Sequence, residues 1–265
     1  MANALINNNE AMSHAARPVV RHITVADLWD ALAKGVDDFR ATPTQLVFLG
    51  FMYPIIAFVA AWAARGGELM VVFYPLVAGL SLMGPLVSLG VYELSRRREQ
   101  GLPVAWYNAA DVLRSPSILP IAVLGPIMCV IFVAWLVAAD AIYHLTMGAA
   151  ASVSVEAFLR QVFTTGAGLQ LIILGNFVGF LFATLVLAIT VVSFPLLLDR
   201  DVGLFVAVQT SIDAVRTNPF TMSVWGLIVA IALLIGCLPV FIGLAVVMPI
   251  LGHATWHLYR KVVER

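Results

Sequence analysis

The sequence predicts an all-α, polytopic membrane protein with six transmembrane helices, laid out as three tandem units of one interfacial amphipathic helix plus one transmembrane hairpin. Three observations lead there. The 265 residues are 62% hydrophobic and 11% charged, against roughly 25% charged in soluble domains, which is too little charge to solvate a globule. Apolar blocks of membrane length recur along the chain, and Lys and Arg are concentrated in one alternate set of the segments between them.

A membrane-crossing helix needs about 20 mostly apolar residues, because lipid offers no partner to an unpaired backbone group. Spans are predicted at about 45–64, 69–92, 117–143 and 169–194, followed by a block at 220–258. As one helix that last block would be about 58 Å long, nearly twice the hydrocarbon core. Gly236, Pro239 and Gly243 cluster at its middle, so it divides into spans at 220–236 and 240–258, the alternative being one tilted, proline-kinked helix. Charge favours the division. With six spans, 13 of the 15 Lys and Arg lie on one face and only Arg65 and Arg160 on the other, whereas five spans weaken this to 10 against 5. The positive-inside rule then places both termini in the cytoplasm of a bacterial inner membrane. Residues 1–23 are read as a flexible cytoplasmic segment, 24–260 as one six-span membrane domain and 261–265 as a cytoplasmic tail. The first 40 residues show no cleavable signal pattern, so the first span is expected to direct insertion. Tyr92, Trp106, Tyr107, Tyr143, Trp225, Trp256 and Tyr259 stand near the predicted interfaces.

Before each odd-numbered span the chain repeats Asp, two residues, Arg, then Pro: Asp37, Arg40 and Pro43; Asp111, Arg114 and Pro116; Asp213, Arg216 and Pro219. In the first unit Val25, Leu28, Leu32, Val36 and Phe39 form an amphipathic stripe, and Thr24 with Asp27 makes a capped start. Asp and Arg three apart share a helix face, and the proline ends the helix before the chain turns into the bilayer.

Candidate chemistry is sparse. No ionisable residue sits in the middle of a predicted span, which disfavours ion-coupled transport. Gly175, Asn176 and Gly179 in the fourth span are read as a helix-packing face. Arg96, Arg97 and Arg98 act as a topology determinant, a basic triplet that would also attract anionic headgroups. His253 and His257, one turn apart, are candidate haem or metal ligands without a third ligand near in sequence, and no bound metal or cofactor is expected. Cys129 and Cys237 lie in apolar runs, which excludes a disulfide framework. The balance of 15 basic against 15 acidic residues excludes nucleic-acid binding. Phosphate loops, nucleophile elbows, zinc helices and dinucleotide fingerprints are missing from the sequence, so no enzyme is expected.

The stretch Phe194 to Gly203 continuing through Thr210, Ser211, Asn218, Pro219 and Trp225 resembles a proteobacterial family of predicted integral membrane proteins, catalogued as domain of unknown function 2189. Arg96 to Glu99 with Gly101 resembles its central loop, and Pro249 to Arg260 its C-terminal signature. The likeness covers roughly residues 25–260. It implies a membrane protein associated with respiratory complexes in an accessory role, because catalytic haem–copper chemistry needs several histidines inside the spans. The expected function is therefore a non-catalytic structural or accessory component in contact with the bilayer and other membrane subunits. The alternative is a transporter or channel for a neutral or lipidic substrate.

Overall fold

The structure, a computed structural model, describes residues 18–42, 69–148, 155–238 and 242–264. The expected first span at 45–64, with Pro43, Arg65 and Pro239, lies outside the described residues. Among the described residues the regular structure is helical apart from one isolated bridge between Val20 and Val263. In chain order the helices are α1 (Val25–Ala41), α2 (Leu69–Leu82), α3 (Gly84–Val87), α4 (Leu89–Glu99), a 3₁₀ helix (Trp106–Arg114), α5 (Ile118–Met147), α6 (Val155–Thr164), α7 (Gly166–Thr190), α8 (Ser193–Asp199), α9 (Leu204–Thr217), α10 (Pro219–Cys237) and α11 (Leu244–Val262).

Three stretches are long and apolar enough to cross a membrane: Ile118–Met147, Gly166–Asp199 and Pro219–Cys237. The most apolar windows of the first and last are only 28% and 22% buried. Leu119, Val130, Val137, Phe177, Phe180 and Leu234 point outward, an arrangement that water would penalise and lipid does not.

Two expected spans differ from their predicted form. The block at 69–92 is not one helix: it breaks at Met83 and Ser88, where Pro85 opens α3 without an amide hydrogen to continue the ladder. Its last part runs on as α4 to Glu99, so Arg96, Arg97 and Arg98 end a helix rather than occupy a loop. The block at 240–258 becomes α11, which continues to Val262 and carries Arg260 and Lys261 in its last turn. It is not among the three membrane-length stretches, so three of the six expected spans stand as membrane-length helices among the described residues.

The two last helices form an antiparallel hairpin instead of one kinked rod. The Asn218 side chain accepts from the Ile23 amide at 2.8 Å and donates to the Arg21 carbonyl at 3.0 Å. The Arg21 amide in turn donates to the Val262 carbonyl at 2.7 Å. One short strap thus holds the start of α10 and the end of α11, while at the opposite end Gly236 lies against Gly243 and Leu244. Through these bonds Arg21 to Ile23 are pinned, and the chain is helix or paired strap through Glu264.

Helix α1 starts as its sequence requires, with Asp27 Oδ2 accepting from the Thr24 amide at 2.9 Å. Its deepest line is Leu28, Ala31, Gly35 and Asp38, rotated from the stripe of larger apolar residues. Small side chains on that line let α1 run close along α11: a Cβ on Gly35 would come within 2.7 Å of the Ala254 Cβ and backbone nitrogen. Between α4, α8 and α11 the core is filled by Tyr92, Phe194, Leu197, Met222, Trp225 and Trp256. Gly35→Leu should therefore force α1 off α11 and cost about 1–3 kcal/mol, read as a lower detergent melting temperature together with faster proteolysis within α1.

Candidate functional site

The segment of α11 from His253 to Lys261 presents a polar or aromatic side chain to each neighbouring helix at nearly every turn. Lys261 Nζ bridges Asp27 at 2.9 Å and Asp30 at 3.0 Å on α1. Arg260 reaches Glu99 at 3.0 Å and Asp199 at 2.9 Å. Trp256 Nε1 donates to Glu99 at 3.1 Å, and the Tyr259 hydroxyl donates to Asp199 at 2.6 Å.

At the centre of this set is Asp38, 6% exposed. Its Oδ2 accepts from the Ser95 hydroxyl at 2.6 Å and from His257 Nε2 at 2.8 Å. Its Oδ1 pairs with Arg98 at 3.2 Å. Ser95 Oγ also meets His253 Nδ1 at 2.7 Å. Because the hydroxyl has one proton and gives it to the carboxylate, His253 must carry its proton on Nδ1 and donate it to Ser95. That tautomer leaves His253 Nε2 as a buried acceptor without a hydrogen-bond partner.

Burial alone would raise the Asp38 carboxyl, but the hydrogen bonds from His257 and Ser95 outweigh it and hold the group below the ordinary carboxylate range. Asp27 is held down as well, to about 2, by the Thr24 amide first and Lys261 second. Beside the cluster lies an open cleft of about 510 Å³ bordered by Lys34, Asp37, Arg98, His257, Arg260 and Lys261.

The two histidines do not aim free nitrogens at one point, since His253 turns Nδ1 to Ser95 and His257 turns Nε2 to Asp38. Among the described residues no group of three His, Cys, Asp or Glu side chains could hold a metal ion. The arginine triplet is divided among three tasks. Arg96 grips Glu93 with two bonds of 2.7 and 2.8 Å. Arg97 pairs with Asp111 at 3.1 Å, and Arg98 binds Asp38 and the Asp37 carbonyl.

The repeated Asp and Arg pairs differ in geometry. Asp37 and Arg40 stand 4.0 Å apart in solvent, and Asp111 meets Arg114 at 3.2 Å. Among the described residues no ion pair joins Asp213 to Arg216, and Pro219 opens α10. Pro116 borders a second cleft with Arg114. In α7, a Cβ on Gly179 would come within 3.2 Å of the Trp135 ring, whereas one on Gly175 meets nothing among the described residues within 4 Å. Asn176 is exposed and donates to the Ile172 carbonyl of its own helix at 2.8 Å. Asp38 and Ser95, which sequence reasoning passed over, are the residues that bring the histidines into use.

Residues 72–199 match the family model of predicted integral membrane protein DUF2189. The match runs from within α2 to the end of α8 and so covers Ser95, Arg98, Glu99 and Asp199. It is narrower than the likeness over 25–260, leaving out α1, α9, α10 and α11. Neither a curated protein nor a solved structure matches the chain. DUF2189 thus supports a membrane protein of unknown function, with apolar helices in contact with lipid.

Removing the Asp38 carboxylate should cost more than removing its distant imidazole. Asp38→Ala leaves His257, Ser95 and Arg98 without their acceptor and should cost about 2–4 kcal/mol, while His253→Phe leaves only Ser95 short of one donor and should cost under about 1.5 kcal/mol. Thermal unfolding in detergent of both variants checks the order. Since both carboxyls titrate lower when folded, their contribution is complete above the unfolded carboxylate value near 4 and is lost as pH falls through the depressed folded values. Loss of these two carboxylates should lower the melting temperature below about pH 4, with a smaller acid loss in Asp38→Asn.

Proposed function

We propose that this chain is a non-catalytic, multi-pass component of a bacterial inner membrane, a structural or accessory protein whose polar end faces the cytoplasm with both termini. One observation carries this reading: the side chains best suited to chemistry bind one another in a closed cluster. In a hydrolytic triad the imidazole takes the serine proton; here Ser95 gives its proton to Asp38 directly and receives one from His253. Ser95 and His253 are each 1% exposed, so no substrate reaches them without opening the bundle.

The hairpin supports an even crossing number. If α10 crosses the bilayer, α11 must return, because the far ends of both are bound to the Arg21 to Ile23 strap. Added to the apolar sequence blocks at 45–64, 69–92, 117–143 and 169–194, the pair gives six crossings in this reading. A solute pathway is less well supported: ionisable side chains in the described membrane-length stretches lie within about two turns of their ends, at Asp140, His144 and Asp199.

The resemblance read from the sequence implies the same kind of protein, a subunit that assembles with a respiratory complex. Copurification in mild detergent tests the proposal. The expected result is stoichiometric recovery of membrane subunits with the tagged chain, whereas a solitary protein that moves a neutral solute across liposomes would replace this reading with transport.

A further inference from the structure

We propose that the cleft beside the 3₁₀ helix binds the phosphate of an anionic phospholipid, with the first acyl methylenes lying on the outer side of that helix. The proposal rests on bilayer residence and not on the accessory role.

A 3₁₀ helix repeats every three residues, so side chains three apart stand in line. Trp106–Arg114 is accordingly three-sided. Its inner side is Ala109, against Gly90, and the buried Val112. Its outer side is Tyr107, Ala110 and Leu113, all exposed, with Leu113 72% so. Its third side is a hydrogen-bonded ladder in which Asn108 donates to Asp111 at 2.9 Å and Arg114 donates to the same carboxylate at 3.2 Å.

That ladder borders an open cleft of about 830 Å³ reaching to the end of α4 and to Leu198. Three guanidiniums and two carboxylates line it: Arg96, Arg97, Arg114, Glu93 and Asp111. Glu93 is consumed by the paired bonds from Arg96. Asp111 is then shared between Arg97 at 3.1 Å and Arg114 at 3.2 Å, so the described side chains lining the cleft carry one net positive charge. Arg114, 86% exposed, keeps most of its five donors for an incoming phosphate.

The level along the membrane normal also fits. Asp140 ends the apolar run of α5, and about 20 residues back along the helix lies Pro120. Ser115 and Pro116, which line the cleft, therefore stand just beyond the hydrocarbon, where headgroups reside. Below them Leu119 and Val123 face outward, continuing the apolar track from Leu113 into the acyl region. A cationic cleft at headgroup depth, opening onto an apolar track, matches a phosphodiester with its chains better than it matches a soluble anion.

Native mass spectrometry of the detergent-purified full chain, with dioleoylphosphatidylglycerol or dioleoylphosphatidylcholine added, tests this. Wild type should retain phosphatidylglycerol preferentially. Arg114→Gln should reduce that preference about fivefold, the loss of one cationic contact near a lipid surface, with an unchanged melting temperature. Leu113→Ser should weaken retention of both lipids. Millimolar inorganic phosphate should not displace the glycerolipid. Undiminished preference in Arg114→Gln, an equal loss of both lipids in that variant, unchanged retention in Leu113→Ser, or displacement by inorganic phosphate would each overturn the proposal, the last assigning the cleft to a soluble phosphate.

Discussion

Asp38 is a carboxylate withdrawn from water, and the polar end of the molecule is arranged around satisfying it. A lone buried carboxylate costs several kcal/mol and would titrate instead of remaining charged. Here three donors from two other helices surround it: Ser95 and Arg98 from α4 and His257 from α11. Their separations of 57 to 219 residues along the chain mean that closing this one site places α1, α4 and α11 together. Gly35 and Ala254 permit the contact, since α1 can reach the cluster only where neither backbone carries a larger side chain.

The rest of the fold divides by solvent. Where lipid is the surroundings, apolar side chains face outward and cost nothing, so α5 and α10 need little internal burial. At the polar end the same chain must close against water, and there it buries Trp225, Trp256, Tyr92 and Phe194 in a dense core. Arginines follow the same division. Arg97 and Arg98 meet carboxylates on other elements, Asp111 and Asp38, and so clamp helices together, while Arg96 pairs with Glu93 within α4.

Much of this was legible before the structure. The apolar blocks at 117–143, 169–194 and 220–236 are seen as membrane-length helices, and Gly236 with Gly243 marked the reversal. Thr24 and Asp27 marked the start of α1. The centre of the site was not legible, and the reason is geometric. A stripe drawn through large apolar residues selects Val25, Leu28, Leu32, Val36 and Phe39 and leaves Asp37 as the acidic partner. The true inward line runs through the small residues Ala31 and Gly35 to Asp38, about 100° around the helix from Asp37. Small residues at helical spacing ahead of an acid were the available signal. Ser95 gave none, because its partners lie on α1 and on α11, 158 residues away in the case of His253.

Hydrogen exchange across α1, with the full chain in lipid nanodiscs, tests the central claim most directly. If Asp38 ties α1 into the bundle, the amides from Leu28 to Asp38 exchange as slowly as those of α11 from His253 to Tyr259, and Asp38→Ala speeds both segments together. Exchange of α1 within seconds, while α11 stays protected, would show α1 to be a separate interfacial helix and would contradict the account.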